Sequence, residues 1–179
     1  QAINNAGVDQ SNGDYLLFLN NDTEIVNADC IEEMLGQCQR PEVGAVGARL
    51  YYEDGTIQHA GVIVGLGGVA GHAFVGYAHE DTGYCGRIAL VQDYSAVTAA
   101  CMMVERKVFE EVEGFDERYA VAFNDVDLCL KIRKAGYWIV YDPYAELNHY
   151  ESKSRGMEDT DEKVRRFNSE IALFQDRWK

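Results

Sequence analysis

DYLLFLNNDTE, residues 14–24, is the stretch whose reading decides the fold. Tyr15 to Leu19 is an unbroken apolar run, bounded by Gly13 on one side and by Asn20, Asn21, Asp22, Thr23 and Glu24 on the other. A short continuous run of this kind reads as a strand buried on both faces, as in a parallel sheet. Ligands of open α/β sheets bind beyond the carboxyl ends of the strands, so an acidic cluster there offers oxygens to a phosphate and its metal. Asn and Asp also form turns, and a strand that simply ends here accounts for the spacing equally well.

Working outward, the 179 residues suffice for one domain with a sizeable core and are short for two. Residues 1–179 are therefore read as a single domain. Hydrophobic residues make up 47% and charged residues 26%, a folded soluble composition, and no stretch approaches the roughly 18 apolar residues that span a bilayer. None of it reads as a signal peptide. The net charge of −14 argues against a nucleic-acid partner, whose phosphates demand clustered Lys and Arg. A phosphorylated ligand would then need a metal ion or a local basic group. The cysteines, Cys30, Cys38, Cys85, Cys101 and Cys129, are odd in number and lack CxxC spacing, so they read as reduced thiols of an intracellular protein. Gln1 to Gly13 leads directly into the first strand, and a parallel sheet needs neighbours for it, so the chain is expected to be a piece of a longer protein.

After the strand, Asn27 reads as an N-cap with Ile31, Met34, Leu35 and Cys38 on one helical face, stopped by Pro41. Val43 to Leu50 is a second strand, and Glu53, Asp54 and Gly55 turn it into a hairpin with Thr56 to Val64. Gly65, Gly67 and Ala70 fit GxGxxA, but His72 to Gly86 lacks a helical period, so the pyrophosphate would find no helix N-terminus; a loop is the better reading. Gly71 to Gln92 is a long excursion of the kind that forms lids or binding loops. Val97 to Val104 is another buried strand, followed by a short helix at Arg106 to Val112.

The second acidic cluster, Asn124, Asp125, Val126, Asp127, opens a helix that ends at Gly136. Asn124 as an N-cap and Asp125 and Asp127 in the first turn are favoured whatever the protein does. A carboxylate at such a helix start is equally well placed to take a proton from a substrate hydroxyl. Tyr137 to Tyr141 is a last strand, stopped by Asp142 and Pro143; His149 follows in HYESKSRG with Lys153 and Arg155, and is either structural or a metal or diphosphate contact. Thr160 to Trp178 is an amphipathic packing helix with Val164, Phe167, Ile171 and Phe174 on one face.

Taken in order, GDYLLFLNNDTE at 13–24, VTAACMMVERKVFEEVEGFDERY at 97–119, NDVDLCLKIRKAGYWIVYDPYAELNHYESKSRG at 124–156 and Trp178 resemble the inverting family 2 glycosyltransferases of GT-A fold, especially their rhamnosyltransferase-like branch. The resemblance covers nearly the whole chain. It implies an α/β fold with a mixed, mainly parallel sheet flanked by helices, truncated at its N-terminus. It also implies sugar transfer from a nucleotide-diphosphate sugar to a glycan or glycolipid acceptor, in the cytoplasm or at the cytoplasmic face of a membrane. Asn20, Asn21 and Asp22 fall on the family's DXD position, so Asp22 would hold a divalent metal, Mg²⁺ or Mn²⁺, against the donor phosphates. Asp125 falls on the general base, His149 on a residue that completes the metal or diphosphate site, and Asn124 and Asp127 flank the base on the acceptor side.

Departures temper this. Asn20 and Asn124 replace acids of the fully acidic pattern, Ala99 stands where relatives often carry Gly, and Gln175, Asp176, Arg177, Trp178 lacks the processive QxxRW spacing. Since similar enzymes begin with a further βαβ unit for the nucleotide, the chain alone is expected not to turn over. A non-catalytic carbohydrate-binding or regulatory module on the same fold is the competing reading, and a nucleotidyltransferase with a similar metal site a third.

Overall fold

The structure is a computed structural model that describes residues 2–150 and 160–179. Helix α1 (Ala2–Gln10) precedes β1 (Tyr15–Leu19) and β2 (Thr23–Ile25), then α2 (Cys30–Cys38), β3 (Val43–Tyr51), β4 (Ile57–His59), β5 (Val62–Val64) and β6 (Ala70–His72). They are followed by β7 (Gln92–Asp93), β8 (Cys101–Glu105), α3 (Arg106–Glu111), α4 (Asn124–Lys134), β9 (Trp138–His149) and α5 (Asp161–Arg177).

The main sheet runs β1-β8-β3-β9-β2, with β4 on β3 and β7 on β9. It is mixed and flanked by helices, as expected. The weighting differs: β3 and β9, the longest pairing, are parallel, and the other described pairs are antiparallel. Strand β1 correspondingly alternates, with Leu16 and Phe18 buried and Tyr15 and Leu17 half-buried. It therefore does not have two equally buried faces. Phe18 sits against the rings of Phe109 and Phe115, while Tyr15 and Leu17 only flank the smaller core.

Strand β3, VGAVGARLY, is the central strand, and all its residues are buried. Two of its glycines are spacers: a Cβ on Gly47 would stand 2.3 Å from Val97 Cβ, and one on Gly44 2.3 Å from Ile132 Cγ2. Their absence of side chain lets the 97–100 segment and α4 close onto the sheet. On one face α2 buries Cys30, Met34 and Cys38 against Val46, Leu50 and Leu147. On the other, α3, α4 and α5 pack Phe109, Leu128, Ile132 and Phe174 into the larger core. Burial pushes the thiols of Cys38, Cys101 and Cys129 up to about 12, which leaves them inert, and Cys85 is exposed. Among the described residues no helix is long and apolar enough to cross a membrane.

Two local expectations are corrected and a third stands. Asn27 does not cap α2; Asp29 holds that position, and Asn27 instead donates to Tyr144 O (2.8 Å) and accepts from Glu146 N (2.8 Å), stapling the loop to β9. Strand β9 does not stop at Tyr141. Its pairing with β3 skips from Asp142 to Glu146, a bulge that takes up Pro143 without a broken ladder, so the strand continues to His149. Residues 65–71 hold a 3₁₀ turn, Leu66–Gly68, and then β6 pairs with β5, so no helix follows the glycines and the loop reading stands.

Candidate functional site

The turn after β1 is built by the sheet around it. Asn20 N donates to Ala100 O (2.9 Å), and Thr23 Oγ1 closes the turn onto Asn20 O (2.7 Å). Asn20 and Asn21 are exposed. Strand β2 pairs with the end of β9 so that Thr23 lies opposite His149, and Tyr150 N donates to Asp22 O (2.9 Å). That register brings Asp22 and His149 together across the sequence: Nε2 stands 3.2 Å from Asp22 Oδ1 and 3.2 Å from Asn20 Nδ2. Asp22 Oδ1 is buried and has no hydrogen-bond partner among the described residues.

An orphaned carboxylate oxygen beside an imidazole nitrogen fits a small divalent cation, which takes one or two protein ligands and completes its shell with water and substrate phosphates. The pair is a partial site: among the described residues no group of three or more His, Cys, Asp or Glu could hold a metal by itself.

Asp125 is positioned from the other side. Phe123, not Asn124, is the N-cap of α4, with a left-handed φ of 60°. Asn124 is the first helical residue and donates its Nδ2 to Val121 O (2.5 Å). Asp125 follows, half-buried, with Oδ1 accepting from Val126 N (2.9 Å) and Oδ2 from Ala99 N (3.1 Å). Two backbone donors thus fix the plane of its carboxylate.

The segment Thr98–Ala99–Ala100 joins the two acidic spots. Ala100 O holds Asn20, Ala99 N holds Asp125, and Thr98 lines, with His149, Gln58, His72, Tyr52 and Val75, a cleft of about 250 Å³. A roomier cavity of about 440 Å³ lies against α1 and β1, but no carboxylate or imidazole lines it. Of the candidate residues named above, His149 lines the smaller one.

Asp127 does not join this cleft. It is fully buried; Oδ1 accepts from Trp178 Nε1 (2.8 Å), Arg177 approaches to 3.3 Å, and burial raises its carboxyl above the usual range against the pull of that hydrogen bond. A carboxylate with no exposed surface packs α4 against the end of α5 and offers nothing to an acceptor. Lys153 and Arg155 lie outside the described residues.

Two residues absent from the sequence reading shape the site. Glu170 of α5, 3% exposed, accepts from the backbone N–H groups of Ala120 (2.7 Å), Val121 (3.0 Å) and Ala122 (2.9 Å), and the Phe123 ring packs at a tilt against Phe167 and Phe174 of the same helix. The sequence did hold a signal here, since a Glu within the apolar stripe Phe167–Phe174 is unusual unless it has buried donors to meet. Gln58, in β4, contacts His149 with both ends of its carboxamide. Nothing local in the sequence marks it.

A sequence model described as "Glycosyltransferase like family 2" matches residues 2–168. The uncharacterized protein y4gI of Sinorhizobium fredii is 54% identical over 179 residues, covering 99% of this chain and 20% of that protein. The O-antigen biosynthesis protein RfbC of Myxococcus xanthus is 44% identical over 156 residues, 86% of this chain and 12% of that one. The chain thus spans a fifth or less of the length of these relatives. Among solved structures, GalNAc-T7 with UDP, GalNAc and Mn²⁺ superposes with a TM-score of 0.64 at 12% identity, over 92% of this chain and 33% of that one. A mannosyltransferase from Pyrobaculum calidifontis in complex with GDP-Man and Mn²⁺ gives 0.55 at 13% identity, over 94% and 42%. These likenesses support a GT-A-like fold.

Proposed function

The chain belongs to glycosyltransferase family 2, and on that premise we propose that it carries the metal, acceptor and catalytic portion of an inverting transferase, moving a sugar from a nucleotide diphosphate to an acceptor hydroxyl. The observation that carries this reading is the Thr98–Ala100 segment, which ties Asn20 on one side and Asp125 on the other to the backbone of two consecutive residues, Ala100 and Ala99. Displacement at an anomeric carbon needs a stabilised leaving diphosphate and a base on the opposite side. Asp22 and His149, with Asn20 and Asn21 at the turn, face the leaving group; Asp125 accepts the proton of the attacking hydroxyl. A divalent cation held by Asp22 and His149, Mg²⁺ or Mn²⁺, supplies charge neutralisation of the diphosphate. The backbone donors on Asp125 keep its carboxylate aimed while it works. The product class is a polysaccharide or glycoconjugate made at the cytoplasmic side of a membrane, in keeping with the O-antigen relative.

The test is Asp125→Asn in the full-length protein. A positioned base contributes about 10² to 10⁴ in rate, and turnover is expected to fall by that order with donor binding retained. Unchanged turnover removes Asp125 from the mechanism. Glycan binding by a wild-type protein that transfers nothing to any acceptor points instead to a non-catalytic module.

A further inference from the structure

Gln58 sits at the centre of β4, 5% exposed, and both ends of its carboxamide meet one residue. Nε2 donates to the His149 backbone oxygen at 3.3 Å, and Oε1 lies 2.7 Å from His149 Nδ1. A carbonyl oxygen has only lone pairs, so it turns the NH₂ of Gln58 toward itself. That leaves Oε1, an acceptor, against Nδ1, and Nδ1 must then carry the proton. In the neutral ring Nε2 is the bare lone pair.

Nε2 faces the orphaned Asp22 Oδ1 at 3.2 Å. Asn20 Nδ2, 3.2 Å from Nε2, can donate to that lone pair, but it leaves Asp22 Oδ1 facing a second lone pair, an arrangement that a cation against both relieves. With the other tautomer, Nε2–H would donate to Asp22, and the two groups would satisfy each other with nothing left for a metal.

We infer that Gln58 is a positioning residue: it locks His149 in the Nδ1–H tautomer and so commits Nε2, with Asp22, to a divalent cation. This rests on the metal role proposed above for that pair. Outer-shell partners of this kind are worth about 10- to 100-fold in metal affinity.

The experiment uses long-range ¹⁵N–¹H correlation of the His149 ring in metal-free protein at alkaline pH, with Mn²⁺ titration followed by the paramagnetic signal of the free ion. The wild type is expected to show Nδ1–H. Gln58→Met, similar in length but without acceptor or donor, is expected to move the ring to Nε2–H and to weaken Mn²⁺ binding about 10- to 100-fold. Gln58→Glu keeps an oxygen acceptor and is expected to restore Nδ1–H. An Nε2–H ring in the wild type overturns the inference whether or not any variant folds. So does a folded Gln58→Met that binds Mn²⁺ as tightly as wild type. A wild type with Nδ1–H in place that binds no Mn²⁺ overturns the metal reading of Asp22 and His149, and with it the cation half of the inference.

Discussion

Glu170 offers a perturbation whose size can be worked from the structure. Its carboxylate accepts three backbone N–H bonds from Ala120, Val121 and Ala122, at 2.7, 3.0 and 2.9 Å, while 3% exposed. Charge-assisted bonds contribute roughly 1.5–3 kcal/mol each, so three could total above about 5 kcal/mol if nothing relaxed. Two terms offset this. The donors lie on a partly exposed loop, so water replaces part of what is lost, and release of the loop lets Phe123 leave its left-handed backbone, recovering about 1 kcal/mol. Glu170→Ala is therefore expected to cost about 3 kcal/mol, or a Tm lower by about 6–12 °C for a chain of this size. Glu170→Gln keeps one oxygen for the Ala120 and Val121 donors but sets an NH₂ against Ala122 N, and should cost about 1–2 kcal/mol. Urea unfolding measures both, and amide exchange at Ala120–Ala122 reports whether the loop has opened. Because Asp125 follows Phe123 by two positions, turnover of the full-length protein should fall with loop protection. A loss under about 1 kcal/mol in Glu170→Ala, with exchange protection unchanged, would refute the clamp.

Two further outcomes follow from buried groups. His59 is fully buried against His72, with Nδ1 atoms 2.9 Å apart, and burial, then the neighbouring His72 and His149, holds its pKa well below 6.5. The unfolded chain takes up that proton below 6.5 and the folded one does not, so stability should fall as pH drops through this range, by up to about 1.4 kcal/mol per unit, and be flat above it. His59→Gln should lose that slope in urea midpoints measured between about pH 5 and 8, and equal slopes in the two proteins would contradict the assignment. Trp178→Phe removes the donor to fully buried Asp127 Oδ1 at a cost of about 1–3 kcal/mol, read by thermal unfolding; a loss of a few tenths would show that Arg177 alone satisfies the carboxylate.

What was legible in the sequence is what local periodicity and composition encode. The apolar run Tyr15–Leu19, the strand at Val43, the helix from Asn124 and the amphipathic C-terminal helix lie where the pattern put them. Pro143 misled, because a proline reads as the end of a strand, and only the pairing with β3 reveals a bulge that accommodates it. Asn124 misled for a related reason: a good capping residue was displaced one position into the helix by a loop held from α5. The juxtaposition of Asp22 with His149 depends on the β2–β9 register, a long-range property with no local signature. Asp127 looked like a partner of Asp125 in sequence, but helical positions two apart face different ways, and its direction is set by Trp178. The family resemblance supplied the roles; the sheet supplies the distances.

The proposed function requires that Asp22 and His149 hold a metal and that Asp125 acts as base on the same sugar. A crystal structure with Mn²⁺ and a nucleoside diphosphate tests it most directly. The expected result is an anomalous peak in contact with Asp22 and His149 Nε2, with the diphosphate between them and Asp125. An ion and diphosphate seated elsewhere, with Asp22 and His149 untouched, would contradict it.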